Sequence, residues 1–469
     1  MQTQCSTQQL IFQGFGGKPI VADFCGGELT SDAGALLLAE TDRLGGYLQR
    51  FAQCFIDYRN RDLISHPLSQ LLSQRVIGLA LGYEDLNDWE QLRFDPLFKL
   101  LCRRLDLEEN TSAVDEVAAL AGKSTLNRLE LTPADATERS RYKKILYVEK
   151  SIERYFVDTF LANHREAPRQ IIVDLDATDD PLHGSQEGRF FHGYYDEYCY
   201  LPLYIFCEDQ LLCAKLRPAN IDGSSGAKEE LERIVEQIRQ KWPEVKIIVR
   251  ADSGFCREEL MQYCETHEVY YVFGLARNSR LQQKILKAMK KARRNFFRYG
   301  GKPQRVYREL RYQTRKSWSR SRRVVAKAEY LAKGENPRFV LTNIEQLQWN
   351  AQALYEKLYC ARGEMENRIK EQQLYLFADR TSAHTLRANQ LRLWFSSVAY
   401  TILTALRRVG LAGTQFTNAQ CHTIRLKLLK IGARIKSSTR RILISLASGY
   451  PYQQEFHTIV QNLNTGFSP

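Results

Sequence analysis

Apolar residues at helical spacing dominate the first third of the chain. After Pro67, leucine, valine and isoleucine recur three or four positions apart, and the pattern ends near Gly82. A proline at the first turn and a glycine just past the last are typical helix boundaries. Residues 30–165 are therefore predicted to be mostly helical, and residues 1–165 are treated as one N-terminal region.

From residue 166 onward, short apolar runs alternate with helical spacing. Runs rich in β-branched and aromatic residues predict strands, and apolar residues three or four positions apart predict helices. The predicted order is three strands, a helix, a strand, a helix and a strand, at 171–176, 200–207, 210–216, 231–242, 245–251, 257–266 and 269–275. This order implies an α/β fold with a mixed sheet and a right-handed crossover.

The pattern is interrupted near residue 276 and resumes later. Two further strands are predicted at 323–330 and 337–344, followed by helical spacing over 351–374 and 385–408. The resulting division is 166–275 and 346–410 for the two parts of one α/β domain, 276–345 for a β-rich insertion, and 411–469 for a C-terminal region.

The composition is that of a globular protein with several domains. The 469 residues are 44% hydrophobic and 26% charged, which leaves ample material for a core. The best candidate for a membrane span, Leu393 to Leu406, is too short and contains Ser and Thr. The first residues lack the features of a signal peptide, and the eleven cysteines include no C-x-x-C pair. We therefore expect a cytoplasmic protein with reduced thiols and no membrane association.

Positive charge is concentrated in two segments of the chain. The formal net charge is +13, yet Ala276 to Tyr330 alone carries 19 basic and two acidic residues, and Thr401 to Gly449 carries nine basic residues and no acid. The remainder is therefore acidic, at 13 − 26 = −13. Single-sign segments interleaved with aromatic residues are typical of proteins that bind nucleic acid.

Acidic residues follow two of the predicted strands. Asp174 and Asp176 lie on one face of the first strand, and Asp252 follows the strand that ends at Ala251. Glu366 lies on a later helix, four residues after Arg362 and seven after Tyr359. Two aspartates and a distant glutamate suit hard divalent cations such as Mg²⁺, although Asp252 alone could be a turn cap and Glu366 alone a solvated side chain.

Three motifs in this order resemble the DDE transposases of bacterial insertion sequences. They are Asp176-Ala177-Thr178, the block from Arg250 to Phe255 around Asp252, and the stretch from Tyr359 through Arg362 to Glu366, which is similar to a Tyr-x₂-Arg-x₃-Glu-x₆-Lys pattern. The aromatic tract 188–196 and the run 377–382 also look like one subgroup of these proteins.

The resemblance implies an RNase H-like catalytic fold with a β-rich insertion, in which Asp176, Asp252 and Glu366 hold two Mg²⁺ ions and Mn²⁺ can substitute. It also implies that Tyr359 and Arg362 contact the DNA end. The lysine of the family pattern falls on Gln373. Lys370, one turn nearer to Glu366, is our candidate for the missing phosphate contact; alternatively it only pairs with Glu366.

Within the basic insertion, several residues are candidates for DNA contact. Trp318 either stacks on an extruded base or belongs to the core, and the aromatic residues between Phe190 and Tyr204 either pack in a sheet or stack on bases. The cationic candidates are Arg315, Lys316, Arg320, Arg322 and Arg323.

The prediction is a DNA transposase that binds terminal inverted repeats, cuts the DNA there and joins the 3′-hydroxyls to target DNA. The N-terminal region, residues 1–165, is expected to bind the DNA ends, and the basic insertion and the basic C-terminal region, residues 411–469, are expected to contact phosphates. The resemblance implies a homodimeric synaptic complex in a bacterial, nucleoid-associated setting. The alternatives are another RNase H-like nuclease and an inactive DNA-binding derivative; the long basic insertion argues against the first and the acidic triad against the second.

Overall fold

The computed structural model describes residues 9–15, 18–103, 119–438 and 440–466. The chain forms two compact units. The first comprises Met1–Val148, Tyr375–Phe377 and Val398–Pro469, and the second comprises Glu149–Leu374 and Ala378–Ser397. Part of the predicted N-terminal region, residues 1–8 and 104–118, lies outside the described residues, as do residues 467–469 of the predicted C-terminal region.

Strands and helices alternate along the chain as follows. The strands are β1 (Leu10–Phe15), β2 (Lys18–Ala22), β3 (Leu29–Thr30), β4 (Phe55–Asp57), β5 (Ile145–Tyr147), β6 (Gln170–Ala177), β7 (Asp180–Pro181), β8 (Phe190–His192), β9 (Glu197–Tyr200), β10 (Leu203–Cys207), β11 (Gln210–Lys215), β12 (Lys246–Ala251), β13 (Tyr270–Leu275), β14 (Gln304–Tyr312), β15 (Arg322–Leu331), β16 (Gly334–Glu335), β17 (Arg338–Thr342), β18 (Ala433–Ser438) and β19 (Arg441–Leu446). The helices are α1 (Ala35–Gly45), α2 (Tyr47–Ala52), α3 (Leu68–Leu81), α4 (Trp89–Leu92), α5 (Pro96–Arg103), α6 (Lys123–Glu130), α7 (Glu149–Ala162), α8 (Ala227–Lys241), α9 (Glu258–Thr266), α10 (Ser279–Lys284), α11 (Leu286–Arg298), α12 (Ala351–Ala353), α13 (Gly363–Lys370), α14 (Leu386–Ala405), α15 (Cys421–Ile424) and α16 (Gln453–Gly466). Short 3₁₀ turns lie at Arg61–Leu63, Leu86–Asp88, Ser253–Phe255 and Cys360–Arg362, and π-helical turns at Leu354–Tyr359, Glu371–Tyr375, Leu406–Gly410 and Arg425–Leu429.

Helix α3 is buried along most of its length in the first unit. It begins after Pro67 and ends at Gly82, whose φ of 96° is the left-handed conformation that glycine adopts easily, as the sequence predicted. The Gln74 side chain makes two hydrogen bonds with the backbone of Ala121, of 2.9 and 3.1 Å, and Arg75 forms a buried 2.7 Å ion pair with Glu130. The hydrogen bonds of Gln74 satisfy polar groups inside the core, and the ion pair balances the two buried charges.

Nine strands, all of them among the described residues, form a mixed sheet at the centre of the second unit. Its order is β11-β10-β6-β12-β13-β17-β15-β14, and β16 pairs with β15. Strands β6, β12 and β13 are parallel, whereas the other pairs are antiparallel. On β6, Val173 and Leu175 are fully buried in the core, so the alternation of the strand turns Asp174 and Asp176 to the other face. The predicted mixed α/β sheet is confirmed.

Two details of the predicted pattern are wrong. The strand expected at 200–207 is broken, because β9 ends at Tyr200 and β10 begins at Leu203, after Pro202, which has no N–H for a ladder hydrogen bond. The region 276–345 is not uniformly β-rich, because its first part forms α10 and α11. The buried face of these helices follows helical spacing through Leu281, Ile285, Ala288, Met289, Ala292 and Phe296.

The strands of region 276–345 belong to the central sheet. Strand β17 pairs with β13 on one side and with β15 on the other. In the described part of the chain, none of the helices combines the length and apolarity that a membrane crossing requires.

Candidate active site

Asp174 anchors the sheet to the segment that carries Tyr359. Both of its oxygens accept hydrogen bonds of 2.6 Å from Arg250 on β12, and the same guanidinium donates to the carbonyl of Leu358 at 2.8 Å. Burial raises the pKa of Asp174, and Arg250 opposes that shift. Through Arg250, Asp174 therefore links β6 and β12 to the Leu354–Tyr359 turn.

Asp176 lies two positions further along the same face, near the end of β6. Its Oδ1 accepts the N–H of Ala177 at 3.0 Å, and its Oδ2 forms a 3.1 Å ion pair with Arg362. Burial raises the pKa of Asp176 to about 6; Arg362 opposes this shift, and the carboxylate of Asp252 adds to it. Asp176 and Asp252 therefore interact electrostatically.

Asp252 follows β12, so it lies at the same end of the parallel strands as Asp176. Ala251 pairs with Leu175 in the parallel register, so the next residues, Asp252 and Asp176, stand side by side on neighbouring strands. The Oδ1 of Asp252 accepts the N–H of Gly254 at 2.8 Å and caps the turn Ser253–Phe255. The capping role that the sequence allowed is present, and it fixes the orientation of this carboxylate.

Glu366 reaches this pair only through Arg362. It lies on α13 with 54% of its side chain exposed, and its Oε1 is 3.3 Å from the guanidinium of Arg362, which also holds Asp176. The helix that carries these residues is irregular, with a π-helical turn up to Tyr359 and a 3₁₀ turn up to Arg362 before α13 begins. Departures of this kind from regular α-helix are frequent at functional sites.

The structure adds Gly274, which the sequence analysis missed, to the surroundings of the site. A Cβ at Gly274 would lie 2.7 Å from the hydroxyl oxygen of Tyr359, 2.9 Å from the Ser253 nitrogen and 3.1 Å from the Asp252 carbonyl carbon. The absence of a side chain on β13 therefore allows Tyr359 to approach the backbone of Asp252. A glycine inside a strand, in the run Tyr270–Leu275, is the sequence signal that marks such a close approach.

The carboxylate oxygens of Asp176 and Asp252 are the donor atoms that a hard divalent cation prefers. They come from two residues and not from a larger cluster. Among the described residues, no group of three or more His, Cys, Asp or Glu side chains is arranged to hold a metal ion. The partner of the Asp176–Asp252 pair is the guanidinium of Arg362, which separates Glu366 from it. The oxygens of the carboxylate pair fit such a cation, whereas Glu366 contacts Arg362.

The predicted DNA contacts in the insertion separate into exposed and buried residues. Arg315 and Lys316 are exposed, and so is Arg320, although it forms an ion pair with Glu265. In contrast, Arg322 is buried against Glu258 and Glu265, and Arg323 against Glu309 and the carbonyls of Ile344 and Trp349. Trp318 is buried and packs edge-on against Tyr312. These last three residues belong to the core of the fold, because their contacts are with the protein.

A further group of exposed cations in this region lies on α10 and α11. Besides Arg280, whose guanidinium lies over the ring of Tyr312, the two helices expose seven basic residues opposite their buried apolar face, and they carry no acidic residue. We call this surface the basic helix face; it consists of Lys284, Lys287, Lys290, Lys291, Arg293, Arg294 and Arg298.

Lys370 and Gln373 are placed differently from each other. Lys370 ends α13 with an exposed side chain and makes no ion pair with Glu366 in the described structure. Gln373, in the following π-helical turn, donates hydrogen bonds of 2.9 Å to the Asp179 carbonyl and to the Asp180 carboxylate. Asp180 is fully buried, and burial raises its pKa to about 8. Gln373 therefore stabilises a buried acid close in sequence to Asp176.

The fold and this site define an α/β protein with two neighbouring aspartates at the carboxyl ends of parallel strands in a mixed sheet. The chain belongs to the DDE transposase family, because residues 12–466 match the family described as transposase DDE domain group 1. Among solved structures, the chain is similar to the piggyBac transposase in a cryo-EM structure of a synaptic complex with hairpin DNA. The TM-score is 0.40 at 11% sequence identity, and the match covers 93% of this chain and 81% of that chain. No curated protein sequence matches the chain.

Membership of this family supports a transposase and confirms the resemblance inferred from the three motifs. An origin in a bacterial insertion sequence, and the branch defined by the tyrosine, arginine, glutamate and lysine pattern, stay predictions.

Proposed function

We propose that the protein is a DNA transposase that binds the terminal inverted repeats of its element, cleaves the DNA there and joins the 3′-hydroxyls to target DNA. The observation that carries the proposal is the side-by-side placement of Asp176 and Asp252, with Arg362 linking Asp176 to Glu366, in a chain of the DDE transposase family. We further propose that the catalytic part is RNase H-like. The order β11-β10-β6-β12-β13, an antiparallel meander followed by two parallel strands, supports this assignment.

Asp176, Asp252 and Glu366 would hold Mg²⁺, or Mn²⁺ in its place. Bound there, a pair of such ions would activate the attacking water or 3′-hydroxyl and stabilise the leaving oxygen. The chain itself orients the ligands: the cap on Gly254 holds Asp252, and the Asp174–Arg250 pair holds the segment that leads to Tyr359. Arg362 offers the phosphate of the DNA end a bidentate donor when it leaves the carboxylates, and Tyr359 lies beside it.

DNA is the proposed partner along the basic helix face and the exposed cations Arg315, Lys316 and Arg320, with Lys370 as a contact near the cleaved end. Buried Arg322, Arg323 and Trp318 are not part of this proposal. The synaptic complex would be a homodimer that holds two DNA ends and the target, in the bacterial cytoplasm with the nucleoid. The support for DNA is the concentration of exposed positive charge, which neutralises phosphates.

The test replaces one carboxylate at a time in the full chain. Asp252→Asn keeps an oxygen that can cap the turn, so the fold and end binding should persist while Mg²⁺-dependent cleavage is lost. Glu366→Gln should behave likewise, and Glu364→Gln, an exposed acid on the same helix, serves as the matched control. Mobility-shift and cleavage assays on DNA with the flanking terminal repeats measure both steps. Cleavage that survives Asp252→Asn would refute the assignment, and cleavage without joining would favour a nuclease.

A further inference from the structure

The chain that follows β6 forms a small sheet whose aromatic side chains are exposed. Strands β7, β9 and β8 pair in that order, and we call residues 189–200 the aromatic hairpin. Packing inside a sheet accounts for Tyr200, which is fully buried. It does not account for four other rings, which are exposed by 41, 52, 84 and 44%, namely Phe190, Phe191, Tyr194 and Tyr198.

Three of the four exposed rings contact other aromatic or cationic side chains. Phe191 and Tyr198 are directly opposite across β8 and β9, with ring centroids 5.5 Å apart. The guanidinium of Arg189 lies 3.6 Å from the centre of the Tyr198 ring, and Tyr194 stands edge-on to Tyr195 at 5.0 Å. Flat rings and a stacked guanidinium at a surface form the kind of platform on which nucleic acid bases stack.

The base of the aromatic hairpin is fixed to the surrounding fold. The hydroxyl of Tyr200 donates to the carbonyl of Glu187 at 2.6 Å, and the N–H of Glu187 donates to the carbonyl of His384 at 2.8 Å. The Gln186 side chain donates to the carbonyl of Thr381. Because these bonds restrain the strands, the exposed rings need little further ordering before a ligand binds.

The aromatic hairpin lies beside the candidate active site. The hydroxyl of Tyr195 contacts the carbonyl of Ala177 at 3.5 Å, and Ala177 is adjacent to Asp176. The turn that joins β8 to β9 carries Asp196, and β9 begins with Glu197, so phosphates gain little from this surface. Neutral base faces suit it better than a charged backbone.

We propose that the aromatic hairpin is a stacking surface for unpaired bases at the DNA end that lies in the active site, with Tyr194, Tyr198 and Arg189 as its main contacts. The inference rests on the proposed function and extends it, because it assigns the bases and the phosphates of the DNA to separate surfaces. Stacking accepts any base, so the contact gives affinity for unpaired DNA without sequence preference.

The test uses the full chain and a duplex that ends in a single-stranded tail of about four nucleotides containing 2-aminopurine, whose fluorescence falls when it stacks. The wild-type protein should quench the tail. Tyr194→Ala and Tyr198→Ala should each abolish most of the quenching and weaken binding of the tailed duplex about 10-fold, while binding of the fully paired duplex changes less than about twofold. Tyr198→Phe should retain quenching, and Phe94→Ala, which removes an exposed ring of the first unit, is the control.

The possible outcomes distinguish a failure of the stacking surface from a failure of the proposed function. If the wild-type protein binds the paired duplex but the alanine variants quench the tail normally, the stacking surface is refuted and the proposed function stands. An equal loss of affinity for paired and tailed DNA would also refute stacking, because paired bases are not available to the rings. Failure of the wild-type protein to bind either duplex would contradict the proposed function and the stacking surface with it.

Discussion

At the scale of single residues, the candidate active site depends on a side chain that is missing. Gly274 leaves room on β13 for the hydroxyl of Tyr359 and the backbone at Asp252. A methyl group there would have to displace backbone atoms or the Tyr359 ring, and crowding in a packed region costs typically about 1–3 kcal/mol. The arrangement of Tyr359 and Asp252 therefore depends on the glycine as much as on either residue.

We predict that Gly274→Ala slows DNA cleavage strongly and leaves end binding within about twofold, because it moves groups at the site and not the basic surfaces. Cleavage rate and end affinity are measured on the same DNA. Gly223→Ala is the control, since its Cβ would meet only the Ala177 Cβ at 3.8 Å. If the contact with Tyr359 is the cause, Tyr359→Phe in the same chain should make the alanine less damaging, and strictly additive effects would argue against it.

Gln373 and Lys370 provide a second comparison at this scale. The sequence predicted the phosphate contact at Lys370 and no role for Gln373, but the two hydrogen bonds of Gln373 hold Asp179 and buried Asp180. We predict that Gln373→Ala lowers the free energy of unfolding by about 1–3 kcal/mol, as expected when a buried acceptor loses its donor. Lys370→Ala should leave stability unchanged and weaken binding of the cleaved end. Urea unfolding and end-binding assays separate the two roles, and a stable Gln373→Ala protein would contradict the assignment.

At the scale of elements, β15 is joined to α9 by ion pairs. Arg322 on β15 donates to Glu258 and Glu265, and the three side chains bring together residues far apart in sequence. Burial alone would raise the pKa of Glu258, but hydrogen bonds from Arg322 and Ser319 lower it to about 2. The pKa of Glu265 is also lowered, because hydrogen bonds from Arg322 and Arg320 outweigh its burial. Arg322 therefore contributes to stability through contacts inside the protein.

We predict that Arg322→Gln lowers the free energy of unfolding by about 3–5 kcal/mol at pH 7, because it removes the buried cation that the two carboxylates share. Since the folded pKa values lie below the ordinary value of 4.5, the ion pairs stabilise the fold above about pH 4.5, and this contribution is lost as the pH falls toward 2. The difference between wild type and variant should shrink over that range. Arg320→Gln, at an exposed site, should cost about 0–1 kcal/mol, and an equal loss for both variants would refute the explanation.

At the scale of the whole molecule, the distribution of charge decides where DNA is expected. The basic helix face presents seven cations, whereas the chain outside the two basic segments has a net charge of −13. Neutralised phosphates release counterions, so each contact makes affinity more dependent on salt. The contribution of one surface can therefore be measured as the change in the slope of log affinity against log salt when its charges are removed.

We predict that replacing Lys287, Lys291 and Arg294 together by Gln reduces the slope of log affinity against log salt by up to about three units. The three positions share one exposed face of α11, at helical spacing. A control that replaces Lys150, Arg154 and Arg169, which are also exposed, removes the same charge elsewhere and should change the slope little. Equal changes in the two variants would mean that only net charge matters.

The sequence predicted the central elements because their signals are local. Strands β6 and β12 and helix α8 follow from periodicity and flanking turns, and the placement of Asp176 and Asp252 follows from those strands. The roles of Arg322 and Trp318 could not be predicted in this way. The carboxylate partners of Arg322 are 57 and 64 residues away, so only the folded chain shows that its charge is already compensated. Helices α10 and α11 were not predicted, because the many basic residues of this segment obscure its regular apolar spacing.

The contact made by Arg250 has a consequence for how such proteins diversify. One guanidinium ties Asp174 to the carbonyl of Leu358, so it fixes both ends of the long stretch between Asp252 and Tyr359. Insertions, deletions or changes of charge in the loops and helices within that stretch should therefore leave the positions of Asp174 and Leu358 unchanged.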